Sequence, residues 1–313
     1  MSKKIGLSLS GGSGLPISKF LICPRWFKYI KDGFRKKYYK PALAEGLIFH
    51  SYAEKSLKRD IFRKNGTDIV EIDPEEASEV LRSGKWTDKR KKKDIRWQTE
   101  GEDGDKIEQA SERIPGMLKT FLEKKRDFGE VVEVEKAIEI EELIRPVGEP
   151  TEKEIEDAGR LLMNGVWFSG RSDFVTDDNT IHDLKTSKSE WKQEQADDQQ
   201  QATLYGYITS VMNQNPVEEF VYHIFTKHKR GCRYQEIRTK RNIDDYLATY
   251  ENLLSVGNRV LDCEEKGEYP KEGSMRTNCR DRYFRRCPYH VLCFPEKYSE
   301  EEQEKELKSI IKE

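Results

Sequence analysis

Apolar and polar residues repeat in two rhythms along this chain, and each rhythm predicts a different kind of element. Helical spacing runs through PALAEGLIFHSYAEKSLKRDIF, where Leu43, Leu47, Ile48, Tyr52 and Leu57 recur behind Pro41, a residue suited to a helix start. The same spacing predicts helices over Ile17 to Gly33, Pro74 to Arg82, Asp105 to Phe128, about Glu194 to Ser210, and Asn242 to Lys266. Pro115 is expected to kink or divide the Asp105 helix. A two-residue rhythm marks Glu130 to Ile144, with a turn near Lys136, and two hairpins, Gly165 to Thr186 and Val217 to Thr239. Residues 1–16 are rich in Gly and Ser and read as an extended or flexible end, while Tyr298 to Glu313 reads as a charged terminal helix.

The first hairpin turns at Asp177-Asp178-Asn179. A turn centred on Asp178 sets Val175 opposite Ile181 and Asp173 opposite Asp183. Paired side chains lie about 4.5–5.5 Å apart on one face, and strand alternation adds Lys185 to that face. Two carboxylates so close repel each other unless a cation or a proton lies between them. The group is either a divalent-metal site with a lysine beside it or a set of solvated hairpin charges, and spacing alone leaves both open. On the Pro41 helix, Gly46, His50 and Glu54 recur every four residues and share a face. Glycine inside a helix costs about 1 kcal/mol relative to alanine, so Gly46 implies close approach of another backbone or of a ligand. His50 taken alone is either a structural histidine or a ligand. Gln201 and Tyr205 share a helix face in the same way. Trp86 and Trp97 flank a run of cations, which is either a solvated loop or a clamp joining phosphate contacts to base stacking.

Composition narrows the class. The 313 residues include 56 Lys+Arg and 58 Asp+Glu, a net charge of −2 that gives no global attraction to nucleic acid, so any such attraction must come from local patches. No apolar run approaches the roughly 20 residues needed to span a bilayer, and MSKKIGLSLSGGSGLP lacks the apolar core of a signal peptide. The expectation is a soluble, cytoplasmic protein whose six cysteines are free, buried or metal-bound rather than paired.

Four separated elements then fall in order: G-x-x-x-H at Gly46 and His50, G-x-x-D at Gly170 and Asp173, D-x-K-T from Asp183 through Lys185 to Thr186, and Q-x-x-x-Y at Gln201 and Tyr205. Over about residues 17–295 the chain resembles the RecB-type branch of the PD-(D/E)XK nucleases. The resemblance implies an α/β restriction-endonuclease-like core, a small mixed sheet flanked by helices. It implies that His50, Asp173, Asp183 and the Leu184 carbonyl bind Mg2+ or Mn2+, that Lys185 serves the attacking water, and that Gln201 and Tyr205 line the site. Hard carboxylate oxygens suit magnesium or manganese, and the imidazole favours manganese. Cys23, Cys279, Cys287 and Cys293 are similar to the cysteines that hold a [4Fe–4S] cluster in AddB-type and CRISPR adaptation nucleases. Here, however, seven residues separate Cys279 from Cys287 where the family has two. Zinc or inert buried thiols are the alternatives.

The implied organisation is a flexible end at 1–16, a nuclease domain at 17–297 and a C-terminal helix at 298–313. The cysteine-stapled subdomain would come from both termini, 17–40 and 270–297, and residues 60–104 would be an insertion. Arg276, Arg280, Arg282, Arg285 and Arg286 would face phosphate. The implied function is hydrolysis of DNA with single-stranded character, as an exonuclease in recombination, repair or end processing. The chain is also similar to viral recombination exonucleases, and a viral origin would place it in the host cytoplasm. No P-loop is present, so a helicase, a recombinase or a single-strand-binding protein is the expected partner. Trimming of CRISPR spacer precursors is an alternative, and an inactive DNA-binding scaffold is the rival from another class.

Overall fold

The computed structural model of the protein describes residues 5–8, 15–64, 72–88, 93–228, 231–271 and 287–312. Strands β1 (Ile5–Ser8) and β2 (Leu15–Pro16) precede two helices, α1 (Ile17–Ile22) and α2 (Pro24–Lys31). These are separate because Cys23 precedes a proline, which excludes it from the helical region; it is extended at φ −166° and ψ 114°. After β3 (Phe34–Lys36) comes the long α3 (Pro41–Lys64), then α4 (Pro74–Arg82), whose first turn is capped by the Asp73 carboxylate accepting from Glu75 N–H. A hairpin of β4 (Lys85–Asp88) and β5 (Lys93–Arg96) leads into α5 (Gly101–Lys124), which continues undivided through Pro115. Next come β6 (Val131–Val134), β7 (Ala137–Ile140) and α6 (Glu152–Met163), the last begun by a Thr151–Glu154 capping box. The expected hairpin comprises β8 (Val166–Arg171), β9 (Phe174–Thr176) and β10 (Ile181–Ser187). Helices α7 (Gln193–Asp197) and α8 (Gln200–Asn213) follow, then β11 (Glu219–Thr226), β12 (Tyr234–Lys240) and α9 (Ile243–Lys266). The chain closes with α10 (His290–Cys293), α11 (Glu300–Lys308) and β13 (Ile310–Lys312).

The strands divide into a four-stranded sheet, β2-β1-β8-β7, and a five-stranded sheet, β12-β11-β10-β9-β6, besides two short two-stranded pairs. Mixed pairing and flanking helices make this an α/β fold of the restriction-endonuclease-like kind. The centre of the five-stranded sheet, β10 and β11, is buried on both faces. Alternate β11 residues Phe220, Tyr222 and Ile224 join the core under α8 and α9, whereas Phe225 joins the core under α3, α4 and α5. Both the acidic segment and the hairpin change sheets midway. β6 belongs to the five-stranded sheet and β7 to the four-stranded one; β9 and β8 are divided in the same way. The two crossings run side by side, with Glu135 N–H donating to Asp173 O at 2.7 Å and Ser172 N–H to Lys136 O at 3.2 Å. Glu135 turns this corner at φ +56°, a region that side-chain-bearing residues seldom occupy.

Three expectations change here. Residues 5–8 are not a loose end: β1 lies between β2 and β8, parallel to both, and Leu7 is fully buried. The C-terminal segment is more than a helix, because β13 pairs antiparallel with β3. Trp97 is no half of a clamp, since it is 3% exposed and its indole N–H donates to Leu81 O at 2.8 Å. Among the described residues no helix is long and apolar enough to cross a membrane.

Candidate active site

The site forms at the seam where the chain crosses between sheets. Val175 pairs with Ile181 and Phe174 with His182, as a turn centred on Asp178 requires, and Asn179 takes the left-handed conformation at φ +63°. Strand pairing ends there. The next amide, Leu184 N–H, donates to the Asp173 carboxylate at 2.6 Å, so Asp173 leans onto the β10 backbone beside Asp183. Helix α3 brings His50 to the same place, with His50 Nδ1 3.3 Å from Asp173 Oδ1. Helix α8 brings Gln201, whose amide spans the other two groups: Nε2 donates to Asp183 Oδ1, and Oε1 accepts from Lys185 Nζ, both at 2.8 Å. Lys185 Nζ also lies 2.5 Å from Asp183 Oδ2, an ion pair without hydrogen-bond geometry, and that buried oxygen has no hydrogen-bond partner.

The glycines of the two sequence signatures are explained by packing. A Cβ on Gly170 would stand 2.5 Å from the Tyr205 ring, and one on Gly46 would stand 3.3 Å from Thr186 Oγ1. The G-x-x-D and Q-x-x-x-Y elements therefore fit together as one contact, and so do G-x-x-x-H and D-x-K-T. Tyr205 is fully buried in this contact and cannot hold a DNA strand directly.

Electrostatics follow from the burial of like charges. Burial pushes Asp183 up to about 6; Lys185 opposes the rise and the Asp173 charge adds to it. Burial would also raise Asp173, but His50, Lys185 and the Leu184 N–H hold it below the usual carboxylate range. Burial would lower His50, but the charges of Asp173 and Asp183 hold it above its ordinary value. The carboxylate pair thus attracts positive charge, of which Lys185 and His50 supply part. That is the chemistry of a donor set for a hard divalent cation, and the residues fit such an ion. Among the described residues no three His, Cys, Asp or Glu side chains already stand grouped as a metal cage.

Behind the site runs a second polar line. Thr176 Oγ1 donates to Asp178 Oδ1 at 2.7 Å and faces His182 Nε2 at 2.9 Å; His182 Nδ1 faces His223 Nε2 at 2.9 Å, and His223 Nδ1 faces Tyr234 OH at 2.8 Å. The His182 ring stacks on Phe174 at 4.5 Å. Burial drives His182 down to about 4 and His223 well below the ordinary imidazole value, so both are neutral.

The site opens into a cleft of about 630 Å3 lined by Leu43, Leu47, His50, Trp86, Lys185 and Lys188, among others. Glu135 lines it too, and the motifs did not single it out. Its one available signal is the loss of strict apolar alternation at Glu135-Lys136, where the chain changes sheets.

Among the described residues the thiols do not form the ligand group that the resemblance implies. Cys279 and the five arginines from 276 to 286 lie outside the described residues. Among the described residues Cys23, Cys287 and Cys293 form no disulfide, and no three metal-ligating side chains form a group. The chain ends nevertheless meet. Tyr289 packs on Trp26 and Tyr29 with ring centroids 6.5 and 5.4 Å apart, and its hydroxyl donates to Phe34 O at 2.8 Å. Tyr29 OH lies 3.4 Å from Cys293 Sγ.

The family model for the PD-(D/E)XK nuclease superfamily matches residues 15–294. Among solved structures, the chain is similar to a Eubacterium rectale protein named as a candidate exonuclease, at 16% identity and a TM-score of 0.37, covering 73% of this chain and 71% of that one. It is also similar to the protein SSO0001, at 15% identity and a TM-score of 0.25, covering 48% and 57%. Scores this low carry no argument. No curated protein matches.

Proposed function

The chain belongs to the PD-(D/E)XK nuclease superfamily, and from that premise we propose that it is a metal-dependent exonuclease that hydrolyses DNA phosphodiester bonds in recombination, repair or end processing. One observation carries the reading: His50, Asp173, Asp183, Lys185 and Gln201 form one connected network from three separate parts of the fold. His50, Asp173, Asp183 and the Leu184 carbonyl would hold Mg2+ or Mn2+. Such an ion, when bound, lowers the pKa of its water and offsets charge on the scissile phosphate.

The chain's own groups supply the rest. Lys185, held by Gln201 and Asp183, positions the attacking water and neutralises charge developing at phosphorus. Gln201 fixes Lys185 and Asp183 relative to one another, and Asp173 is oriented by the Leu184 N–H. An inactive scaffold of this fold would have no need to bury two carboxylates beside one another, which costs free energy unless positive charge offsets them. The test is degradation of end-labelled single- and double-stranded DNA with Mn2+ or Mg2+, comparing wild type with Lys185→Ala. Equal inertness of both favours the scaffold, and equal cutting removes Lys185 from the mechanism.

A cysteine-held cluster is implied by the resemblance alone. The described thiols do not form its ligand group, and we attribute the joining of the chain ends to aromatic packing. Iron and sulfide in cluster stoichiometry after anaerobic purification would reverse that attribution.

A further inference from the structure

We propose that Trp86 is a base-stacking residue that makes the cleft beside Lys185 a seat for an unpaired nucleotide of a single-stranded DNA end; this rests on the nuclease reading above. The cleft is lined by two unlike kinds of group. Leu43 and Leu47, one turn apart on α3, and the half-buried Trp86 indole are apolar, and Leu43 keeps 56% of its surface exposed. Lys185, Lys188 and Lys227 are cationic, and Lys188 is exposed just past the end of β10.

Two acids also line the cleft, each with a cation beside it: Glu54 is 2.6 Å from Lys58 and Glu135 is 3.5 Å from Arg171. Lys227 is likewise engaged, by Glu45 at 3.0 Å. A nucleotide has the matching division, a flat π-face on one part and an anionic phosphate on another. A base inside a duplex gives its faces to its stacked neighbours, so an unpaired base is the one that can meet an indole. The volume of about 630 Å3 falls in the range that holds small-molecule-sized groups. With Trp97 buried, the two tryptophans that flank the cations do not form a two-sided grip.

The experiment measures binding of fluorescent single-stranded oligonucleotides in EDTA, and Mn2+-dependent hydrolysis of the same strands. Wild type is compared with Trp86→Leu, which keeps an apolar side chain, and with Trp86→Tyr, which keeps an aromatic face. Trp86→Leu is expected to weaken binding by about tenfold, within the range of one base–aromatic stack, while Trp86→Tyr stays near wild type. Moving an abasic residue along the strand should reveal one position where wild type suffers the same loss and Trp86→Leu adds almost nothing further.

A Trp86→Leu loss that persists on every abasic strand, or no loss at all, overturns the proposal. The two readings fail separately. The stacking pattern without hydrolysis would remove the nuclease reading and leave Trp86 as a stacking residue. Hydrolysis with purely additive losses would remove the role of Trp86 and leave the nuclease.

Discussion

At the seam between the sheets, charged side chains are buried close together; where the chain ends meet, aromatic rings are buried instead. Asp173, Asp183 and Lys185 hold one another in an arrangement that leaves a carboxylate oxygen without a hydrogen bond and Asp183 hard to ionise. Trp26, Tyr29 and Tyr289 form ring contacts, and Tyr289 finds a carbonyl for its hydroxyl. The difference separates activity from stability. On the proposed reading the first region serves chemistry, and the second stabilises the fold by apolar burial. Substitutions in the two should therefore have opposite signatures.

The largest expected effect is at the seam. Lys185→Ala should reduce DNA hydrolysis by about 10^2–10^3-fold, the scale on which positioned charge acts in active sites, with little change in melting temperature. Asp183→Asn should lose activity on the same scale yet melt no lower than wild type, because the amide relieves a buried like-charge pair. A fall in stability for Asp183→Asn, measured by thermal denaturation, would mean that the network holds the fold together.

Tyr289→Ala should do the reverse. It should destabilise by about 3–5 kcal/mol in urea titrations, the usual result of removing a buried ring, while turnover of the folded fraction stays near wild type.

Acid should distinguish the two regions next. His223 is neutral in the fold, with its pKa depressed far below the unfolded value. The unfolded chain therefore binds more protons below about pH 6.5. Stability is complete above that value and falls as pH drops through the acid range, by about 2 kcal/mol at pH 5 for one such imidazole. Hydrogen exchange at pH 5 should accelerate at β9 and β10 before it does at β3 and β13. The smallest effect belongs to Cys23→Ser, within about 0.5 kcal/mol if aromatic packing joins the ends. A large loss there would restore a thiol-bound group to that region.

Much of the seam could be inferred from sequence because its determinants are local. A turn at Asp177-Asp178-Asn179 fixes the pairing of Val175 with Ile181, and alternation then places Lys185. Helical spacing places His50 and Gln201 on defined faces for the same reason. What could not be inferred was long-range. The lapse in alternation near Glu135 predicts a turn but not that the strand changes sheets, and nothing near Ile5 says that it will lie beside Val166. The sequence of Trp97 does not say that its N–H will find Leu81 O. Tyr289 and Tyr29 meet through packing that no local period encodes.

The position of β1 has a consequence for how the molecule fails. It covers one side of β8 with backbone hydrogen bonds and fills the space beneath with Leu7. Detaching those few residues would expose a row of unpaired amides and carbonyls on β8, a template that a second copy of the chain could adopt. Loss of the first strand should therefore appear as self-association before it appears as unfolding.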